Sequence, residues 1–318
     1  MAAIAGPIGQ REKRRGRSFW HEVRRNRMAY LFLLPALLVL TFVNFLPMFQ
    51  GVRTSFQVYN LFRPGYRPDV GLEQYRDLLD NEVFRRAFWH SWYFTLGSVA
   101  CQFVLGLTAA VVLNQSIRFR GVFRGIVLIP WVVPGALAAM MFGLLFTSTG
   151  LVNTFLDRLG LVNLGIVEAD KAWLSDSNTA MPTIIITNMW KGFPFFAVMF
   201  LAAMQTIPAD LYEAAKIDGA SARRSFLDIT VPSIRPTILV TTLLGTIWTF
   251  NSIDLIYIMT YGGPYYSTMT MAMFAYQQAF GRGFIGVASA VAVFILMLMA
   301  VITVFYLYVY RRLIQSQA

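Results

Sequence analysis

The chain has 318 residues, of which 57% are hydrophobic and only 14% are charged, and its formal net charge is +11. This composition is too apolar and too poor in charge for a soluble domain of this length, so a lipid bilayer is the expected solvent. The basic residues fall into short clusters beside apolar runs, which argues against a nucleic-acid partner. The single cysteine and the two distant histidines, His21 and His90, predict neither a disulfide framework nor a bound metal.

Six apolar stretches are long enough to cross a bilayer, because a transmembrane helix needs about 20 apolar residues. They cover residues 28–50, 89–114, 122–147, 179–206, 237–258 and 284–310. We therefore expect an all-α integral membrane protein with one domain of six transmembrane helices over 28–310. A basic N-terminal segment, 1–27, precedes this domain, and a short tail, 311–318, follows it.

The distribution of Lys and Arg predicts the orientation, because short cytoplasmic loops collect cations. The segment 1–27, the loops 115–121 and 207–236, and the tail 311–318 all carry such residues. Both termini are therefore expected in the cytoplasm. The first outer loop, 51–88, departs from this rule because it also contains six arginines, although acidic residues are interspersed among them.

The third and fourth spans contain residues that disturb a helix, since proline removes a backbone hydrogen bond and glycine loosens the backbone. These residues are Pro130, Pro134, Gly135, Pro182, Gly192 and Pro194. We expect both spans to bend. In a membrane, bends occur where protein or a water-filled cavity satisfies the freed backbone groups, so they favour a transport pathway over a passive anchor.

The loop 207–232 between the fourth and fifth spans is predicted to form two short helices. Pro208 suits the first position of the first helix, and Gly219 suits the left-handed position that ends it. Ser221 is expected to cap the second helix. Helical spacing places four residues on one face, and its two alanines allow another protein to approach closely. They are Leu211, Ala214, Ala215 and Asp218.

The same loop resembles a known family motif. Glu213-Ala214-Ala215, followed by Gly219 and then by Ile229-x-Val231-Pro232, matches the "EAA" loop of ABC importer permeases, with valine where leucine is usual. Its position between the fourth and fifth spans, on the expected cytoplasmic side, is that of the maltose-type sugar permeases. The chain therefore resembles the permease subunit of a binding-protein-dependent ABC sugar importer.

This resemblance implies a type I ABC importer permease fold with a cytoplasmic coupling helix. It also implies a hetero-oligomer in the bacterial inner membrane, in which this chain joins a second homologous permease, two ATPase subunits and an extracytoplasmic solute-binding protein. ATP and Mg would bind to the ATPase subunits, because this chain has no GxxxxGKS/T phosphate loop and is not expected to be an enzyme or to hold a cofactor. The resemblance assigns ATPase coupling to Glu213, Ala214, Ala215, Asp218, Gly219, Ser221 and Arg223.

Charged residues inside membrane spans are costly and are therefore candidates for function. Lys191 in the fourth span and Asp254 in the fifth are the clearest examples. Polar and aromatic side chains near them suit the hydroxyl groups and the apolar C–H faces of a sugar, which makes these positions candidates for substrate binding. They are Asn188, Trp190, Phe193, Phe196, Asn251 and Tyr257. The alternative is a buried ion pair between Lys191 and Asp254 that positions two helices.

Other functions stay open at the level of sequence. A secondary transporter driven by an ion gradient would need internal repeats or more intramembrane carboxylates than we identify. A membrane-embedded glycan-handling enzyme would need an acidic site that one sequence does not establish. Among importers, glycerol phosphate or another phosphorylated polyol is an alternative to a sugar, because Lys191 suits a phosphate as well as a hydroxyl. The outer loops 51–88 and 259–283 are the candidates for contact with a solute-binding protein.

Overall fold

The computed structural model describes residues 27–63, 65–116 and 118–315, so most of the basic segment 1–27 and the last residues of the tail lie outside the described part. Helices form the regular structure. Among the described residues there is no strand, and β-type pairing is limited to two isolated bridges, Gln57 with Asp69 and Asn60 with Phe284. The predicted all-α class is confirmed.

Five helices of the described part are long and apolar enough to cross a membrane. They are Tyr30–Thr54, Glu82–Asn114, Ala180–Met204, Ala222–Met259 and Ile285–Arg312. Two shorter helices, Arg120–Val132 and Gly135–Leu145, meet the same criteria together and make a sixth span when they are counted as one. The prediction of six spans therefore holds, with one span broken into two helices.

The chain divides into two compact units between Arg53 and Thr54. The first unit begins with α1 (Arg27–Leu40), which passes through a π-helical turn (Thr41–Phe45) into α2 (Leu46–Thr54). Pro47 accounts for the wider turn, because it has no N–H to donate and its ring crowds the carbonyl group four residues earlier.

The second unit contains the remaining helices. In chain order they are α3 (Glu73–Asp80), α4 (Glu82–Asn114), α5 (Arg120–Val132), α6 (Gly135–Leu145), α7 (Leu151–Arg158), α8 (Ala180–Met204), α9 (Ala209–Ile217), α10 (Ala222–Ser225), α11 (Val231–Phe250), α12 (Asp254–Met259), α13 (Met271–Tyr276) and α14 (Ile285–Gln315). π-Helical turns follow α10 at Phe226–Thr230 and α13 at Gln277–Gly281. The first of these turns joins α10 to α11, so the fifth span begins well before the predicted residue 237.

The predicted third span, 122–147, is not one helix, because α5 ends at Val132 and α6 begins at Gly135 at an angle of 92°. Proline disfavours the helical region for the residue before it, and Val133 is accordingly extended, with φ −64° and ψ 126°. Pro130, one turn earlier, stays inside α5. The expected bend in the third span is therefore a complete break, and it lies at Pro134.

The fourth span, by contrast, is not broken, because α8 runs without interruption from Ala180 to Met204. Pro182 lies in the first turn, where the N–H groups have no partners within the helix in any case. Pro194 lies in the interior of α8 and does not interrupt it. Proline alone therefore does not decide where a span breaks in this protein.

Helices α4 and α8 pack together closely because small residues lie between them. At Gly106 the backbone of α4 meets the Phe196 side chain, and a β-carbon there would lie 3.0 Å from the Ala197 backbone nitrogen. A polar contact adds to this packing, since the Gln102 side-chain amide donates to the Asn188 carbonyl oxygen at 2.9 Å. The cavity described below lies next to this pair of helices.

We expect Gly106→Ala to destabilise the protein, because the added methyl group would overlap the Phe196 side chain and push α4 away from α8. Overpacking typically costs about 1–3 kcal/mol, which should lower the midpoint of thermal unfolding in detergent by several degrees. Gly143→Ala in α6 is the matched control, because a β-carbon there meets nothing within 4 Å. Equal midpoints for the two variants would contradict the close α4–α8 packing.

Candidate functional site

The loop between the fourth and fifth spans forms the two predicted helices, α9 and α10. Gly219 has φ +76° just after the C-cap residue Asp218, and its position is otherwise uncrowded, so glycine is needed there for its backbone conformation. The Ser221 hydroxyl accepts a hydrogen bond from the Arg224 backbone N–H at 3.3 Å, as the capping prediction required. Pro208 is the N-cap residue of α9, one position earlier than predicted.

Two side-chain contacts hold this loop in shape. The hydroxyl groups of Tyr212 in α9 and Thr230 in the π-helical turn lie 2.8 Å apart, which fastens α9 to the base of the fifth span. The Arg224 guanidinium pairs with the Asp228 carboxylate at 3.3 Å, one turn further along. The loop is therefore a folded unit attached to α11.

The face that the sequence predicts for docking is largely open. Glu213, Ala214, Asp218 and Arg223 are exposed, whereas Ala215 is partly buried. Apolar side chains are exposed beside them, with Ile217 at 87%, Leu211 at 48% and Leu227 at 50% of their full accessible surface. Charged groups interleaved with exposed apolar groups are typical of a protein-binding surface.

A cavity of about 160 Å³ lies among α4, α5, α8 and α11. Amide, hydroxyl and ammonium groups form part of its wall, and aromatic rings form another part. The lining residues are Gln102, Trp131, Asn188, Lys191, Gly192, Phe195, Phe196, Gly245, Trp248, Thr249 and Ser252. Such a mixture of polar groups and aromatic faces suits a small polyhydroxylated ligand.

One polar group in the cavity wall lacks a partner. The Asn188 side-chain nitrogen is buried and makes no hydrogen bond with the described residues. Leaving a buried donor unpaired is costly, and this cost is avoided when a ligand or a water accepts from it. The Gln102 side chain lies beside Asn188. It has room only because Gly192 has no side chain, since a β-carbon at Gly192 would overlap the Gln102 amide.

Lys191 and Asp254 both approach the break in the third span. A β-carbon at Gly135, the first residue of α6, would overlap the Asp254 carboxylate and lie 3.4 Å from the Lys191 Cε atom. The Ser252 hydroxyl donates to Asp254 Oδ1 at 2.8 Å, which holds the carboxylate in place. The N-terminus of α6 carries the positive end of a helix dipole, so it favours this negative charge.

The ion pair between Lys191 and Asp254, which the sequence left open as the alternative to a substrate role, is not formed in this structure. The ion pairs found in the described residues, all with N–O separations within 4.0 Å, do not include one between these two side chains. Lys191 lines the cavity instead. It is therefore placed to interact with a ligand.

The structure brings three of the predicted substrate residues to the cavity, namely Asn188, Lys191 and Phe196, although Phe196 is also a core residue with 1% of its surface exposed. The others lie outside the lining. Trp190 packs on Phe142 with ring centres 5.2 Å apart, and Phe193 faces a separate apolar groove.

Asn251 and Tyr257 likewise lie outside the cavity lining. The Asn251 amide donates to the Ile247 carbonyl oxygen of its own helix at 2.8 Å. Tyr257 belongs to an aromatic cluster with Tyr261 and Tyr276, at ring-centre distances of 5.3 and 5.1 Å. A hydrogen bond with the Tyr257 hydroxyl and partial burial raise the pKa of Tyr276 above its ordinary value.

Several cavity residues were not predicted. They are Gln102, Trp131, Phe195, Trp248 and Thr249, together with the two glycines that make room for neighbouring side chains. Gln102 carried a usable signal, because an amide inside an apolar span needs a partner. The aromatic residues carried none, because the sequence does not show which face of a span meets the cavity. Among the described residues, no group of three or more His, Cys, Asp or Glu side chains is placed to hold a metal.

The membrane-spanning helices, the broken span beside a polar cavity and the exposed two-helix loop together define a permease with the type I ABC importer fold. A family model described as the binding-protein-dependent transport system inner membrane component matches residues 102–315. This match covers more than half of the chain, and the chain belongs to that family. It is a multi-pass inner-membrane protein, and its family consists of transport components, which weighs against the enzyme and secondary-transporter alternatives.

Related proteins support this assignment over nearly the whole chain. The trehalose/maltose transport system permease protein MalF of Thermococcus litoralis is 36% identical to it, over 91% of this chain and 95% of MalF. The sulfoquinovosyl glycerol transport system permease protein SmoG of Agrobacterium fabrum is 34% identical, over 92% of this chain and 93% of SmoG.

A solved structure shares the fold. The crystal structure of a bacterial ABC transporter involved in the import of the acidic polysaccharide alginate contains a chain that superposes with a TM-score of 0.79. The two chains are 24% identical, and the superposition covers 93% of this chain and 99% of the other.

The approach of Asp254 to Gly135 can be tested without a ligand. Gly135→Ala should displace the Asp254 carboxylate and lower the midpoint of thermal unfolding in detergent, by an amount corresponding to about 1–3 kcal/mol. In an Asp254→Ala background the same change should cost much less, because no carboxylate is left to collide with. This double-mutant cycle should give a coupling energy of at least about 0.5 kcal/mol between Gly135→Ala and Asp254→Ala.

Gly125→Ala in α5 is the matched control for this cycle, since a β-carbon at Gly125 meets nothing within 4 Å. It should behave identically in the wild-type and Asp254→Ala backgrounds. If Gly135→Ala were equally costly in both backgrounds, the contact between Asp254 and the start of α6 would not exist.

Proposed function

We propose that this chain is the permease subunit of an ATP-driven ABC importer that moves a sugar or a related polyol across the cytoplasmic membrane. The observation that carries the proposal is the cavity at the broken third span, whose lining combines aromatic residues with Lys191 and Asn188. Among the described residues, the Lys191 ammonium has no ion-pair partner and the Asn188 side-chain nitrogen has no hydrogen-bond partner. Membership of the binding-protein-dependent family and the names of relatives such as the trehalose/maltose permease support the choice of substrate class.

In this proposal the cavity recognises the solute by two kinds of contact. The Asn188 amide and the Lys191 ammonium donate hydrogen bonds to hydroxyl oxygens. The rings of Trp131 and Trp248 cover the apolar C–H faces of the sugar. Selectivity arises because a solute that lacks these hydroxyl groups would leave the buried Asn188 donor unpaired.

The loop that contains α9 and α10 is proposed to dock on an ATPase subunit, which binds ATP and Mg. Glu213 supplies a charged contact, and the small side chains of Ala214 and Ala215 allow close approach. Ser221 and Gly219 keep the two helices at a fixed angle. A movement of the loop would be transmitted to Trp248 and Thr249 in the cavity wall. The transmission uses the Tyr212–Thr230 contact and the helix that continues from α10 into α11.

The complete importer is proposed to contain a second homologous permease, two ATPase subunits and an external solute-binding protein. The cavity would then lie next to the second permease, and the outer loops 51–88 and 259–283 would meet the binding protein. Both termini and the coupling loop face the cytoplasm in this arrangement, as the Lys and Arg distribution predicts.

A phosphorylated polyol such as glycerol phosphate is the second candidate substrate. It is favoured by one observation, that no carboxylate of the described residues lies within ion-pair distance of the Lys191 ammonium. An anionic solute would supply the missing negative charge. The Asp254 carboxylate near the same place weakens this case, because it would repel an anion, and we therefore place the neutral sugar first.

Glu213→Ala should uncouple the importer, because it removes the charged contact at the ATPase surface while leaving the fold of α9 intact. We expect transport to fall at least about tenfold, as for loss of a buried charged contact. ATPase recovery on affinity purification of this chain from its native membrane should also fall. Glu168→Ala is the matched control, because that glutamate is exposed in another loop. Normal transport and normal ATPase recovery for Glu213→Ala would remove the loop from its proposed role.

Lys191→Ala should impair uptake without preventing assembly, because the lysine faces the cavity and makes no ion pair within the described part of the chain. Loss of a charged hydrogen bond to solute should lower apparent affinity by about tenfold or more. Measuring uptake of labelled maltose, trehalose and glycerol 3-phosphate tests this affinity. Arg158→Ala is the control, because Arg158 is an exposed cation in the last turn of α7, outside the cavity. A larger loss for glycerol 3-phosphate than for the sugars would identify the phosphorylated substrate, and unchanged uptake of all three would make Lys191 a bystander.

A further inference from the structure

A second cavity lies apart from the polar one and is almost wholly apolar. It is a groove of about 500 Å³ along α4, α5 and the side chain of Phe193 in α8. Its wall includes Leu105, Ala109, Val112, Phe123 and Val127. A groove of this chemistry suits a hydrocarbon chain, and the proposed sugar path makes no use of it.

The apolar groove continues into a smaller pocket with a charged residue in its wall. This pocket of about 250 Å³ shares Leu113 and Val127 with the groove, and it also contains Arg124 of α5 and Gln205 at the end of α8. The two spaces together have an apolar body and a cationic end. This arrangement is complementary to an amphiphile with an apolar tail and a negatively charged head.

Arg124 has no partner among the described residues. Its Nε atom is buried and makes no hydrogen bond, and no ion pair among the described residues involves its guanidinium. Arg124 itself is partly buried, and an unpaired guanidinium group with a buried Nε atom within a membrane span is unfavourable. An anion bound in the smaller pocket would remove this penalty, because guanidinium groups bind phosphate oxygens with good geometry.

The predicted topology places this pocket near the cytoplasmic surface of the bilayer. Arg124 is close to the start of the third span, Leu113 to the end of the second and Gln205 to the end of the fourth. Arg118 and Arg120 precede the same helix. Basic pockets between transmembrane helices on the cytoplasmic side bind anionic lipid head groups, because that leaflet is rich in them.

We propose that this chain binds one anionic phospholipid of the cytoplasmic leaflet between α4, α5 and α8. The lipid phosphate contacts the Arg124 guanidinium, the Gln205 amide contacts the glycerol part of the head group, and an acyl chain fills the groove between Ala109 and Phe193. A free phosphate ion would satisfy Arg124 but would leave the apolar groove empty. A helix of another protein would fill the groove, but it would match the charge of Arg124 only if it placed a carboxylate there.

The bound lipid would also affect the helix that ends at the break. Helix α5 contributes Trp131 to the polar cavity and Phe123, Arg124 and Val127 to the lipid site. Filling the groove supports α5 against α4 and α8 one to two turns before Trp131, along the same face of the helix. The lipid site does not depend on the identity of the transported solute, so it stands or falls independently of the proposed function.

The test uses the full chain, together with the subunits that co-purify with it, after removal of bound lipid. The protein is titrated with phosphatidylglycerol or with phosphatidylcholine of the same acyl chains, and native mass spectrometry measures how many lipid molecules it retains. The wild type should retain one phosphatidylglycerol molecule more tightly than phosphatidylcholine. Arg124→Gln should weaken phosphatidylglycerol retention by about five- to tenfold, the effect of losing one cation–phosphate contact. Arg124→Lys, which keeps the charge, should restore most of it.

Arg235→Gln is the matched control, because Arg235 is the fifth residue of α11 as Arg124 is the fifth residue of α5, and it is exposed outside the groove. It should retain phosphatidylglycerol as the wild type does. Ala109→Phe tests the acyl-chain part, because the larger side chain fills the groove and should lower retention while leaving Arg124 in place. A thermal-unfolding midpoint near that of the wild type shows that each variant is folded.

Four results would overturn the proposal. The first is equal retention of the two lipids by the wild type, and the second is equal phosphatidylglycerol retention by Arg124→Gln and Arg235→Gln. The third is displacement of the bound lipid by millimolar inorganic phosphate, which would identify a site for a free anion. Photocrosslinking from position 109 to another protein segment in place of lipid would likewise show that a helix occupies the groove.

Discussion

The approach of the Asp254 carboxylate to the first residue of α6 is the contact on which the arrangement of the polar cavity depends. Pro134 interrupts the third span, and a helix that restarts inside a membrane has unpaired N–H groups that favour a nearby negative charge. Gly135 leaves room for the carboxylate, and Ser252 holds it there. The break thus brings the charge of the fifth span and Lys191 of the fourth to one place beside the cavity.

The fifth span connects the exposed loop to the same cavity by a continuous stretch of helix. Helix α10 passes through a π-helical turn into α11, and α11 carries Gly245, Trp248 and Thr249 to the cavity wall. The Tyr212–Thr230 contact fastens α9 to the start of this stretch. In a transporter driven by a partner ATPase, such a connection lets force applied at the loop act on the residues that would hold the solute.

The sequence predicted well those features that depend on interactions between residues close together in the chain. The lengths of the apolar runs follow from bilayer thickness, and the ends of α9 and α10 follow from the left-handed preference of Gly219 and the capping hydroxyl of Ser221. The candidate site was predicted less completely. Asn188 and Lys191 reach the cavity, but Asn251 bonds to its own helix and Tyr257 joins an aromatic cluster.

The sequence by itself therefore determined an all-α membrane protein, its spans, the helical loop between the fourth and fifth of them, and the family to which that loop points. Only the tertiary structure decided that Pro134 breaks a span whereas Pro194 does not, and that Trp131, Gln102 and Trp248 meet around one cavity. The physical reason is that hydropathy and capping act between residues a few positions apart. Which helix faces meet depends on packing between residues far apart in the chain, where a single missing side chain, as at Gly135, decides how closely two helices approach.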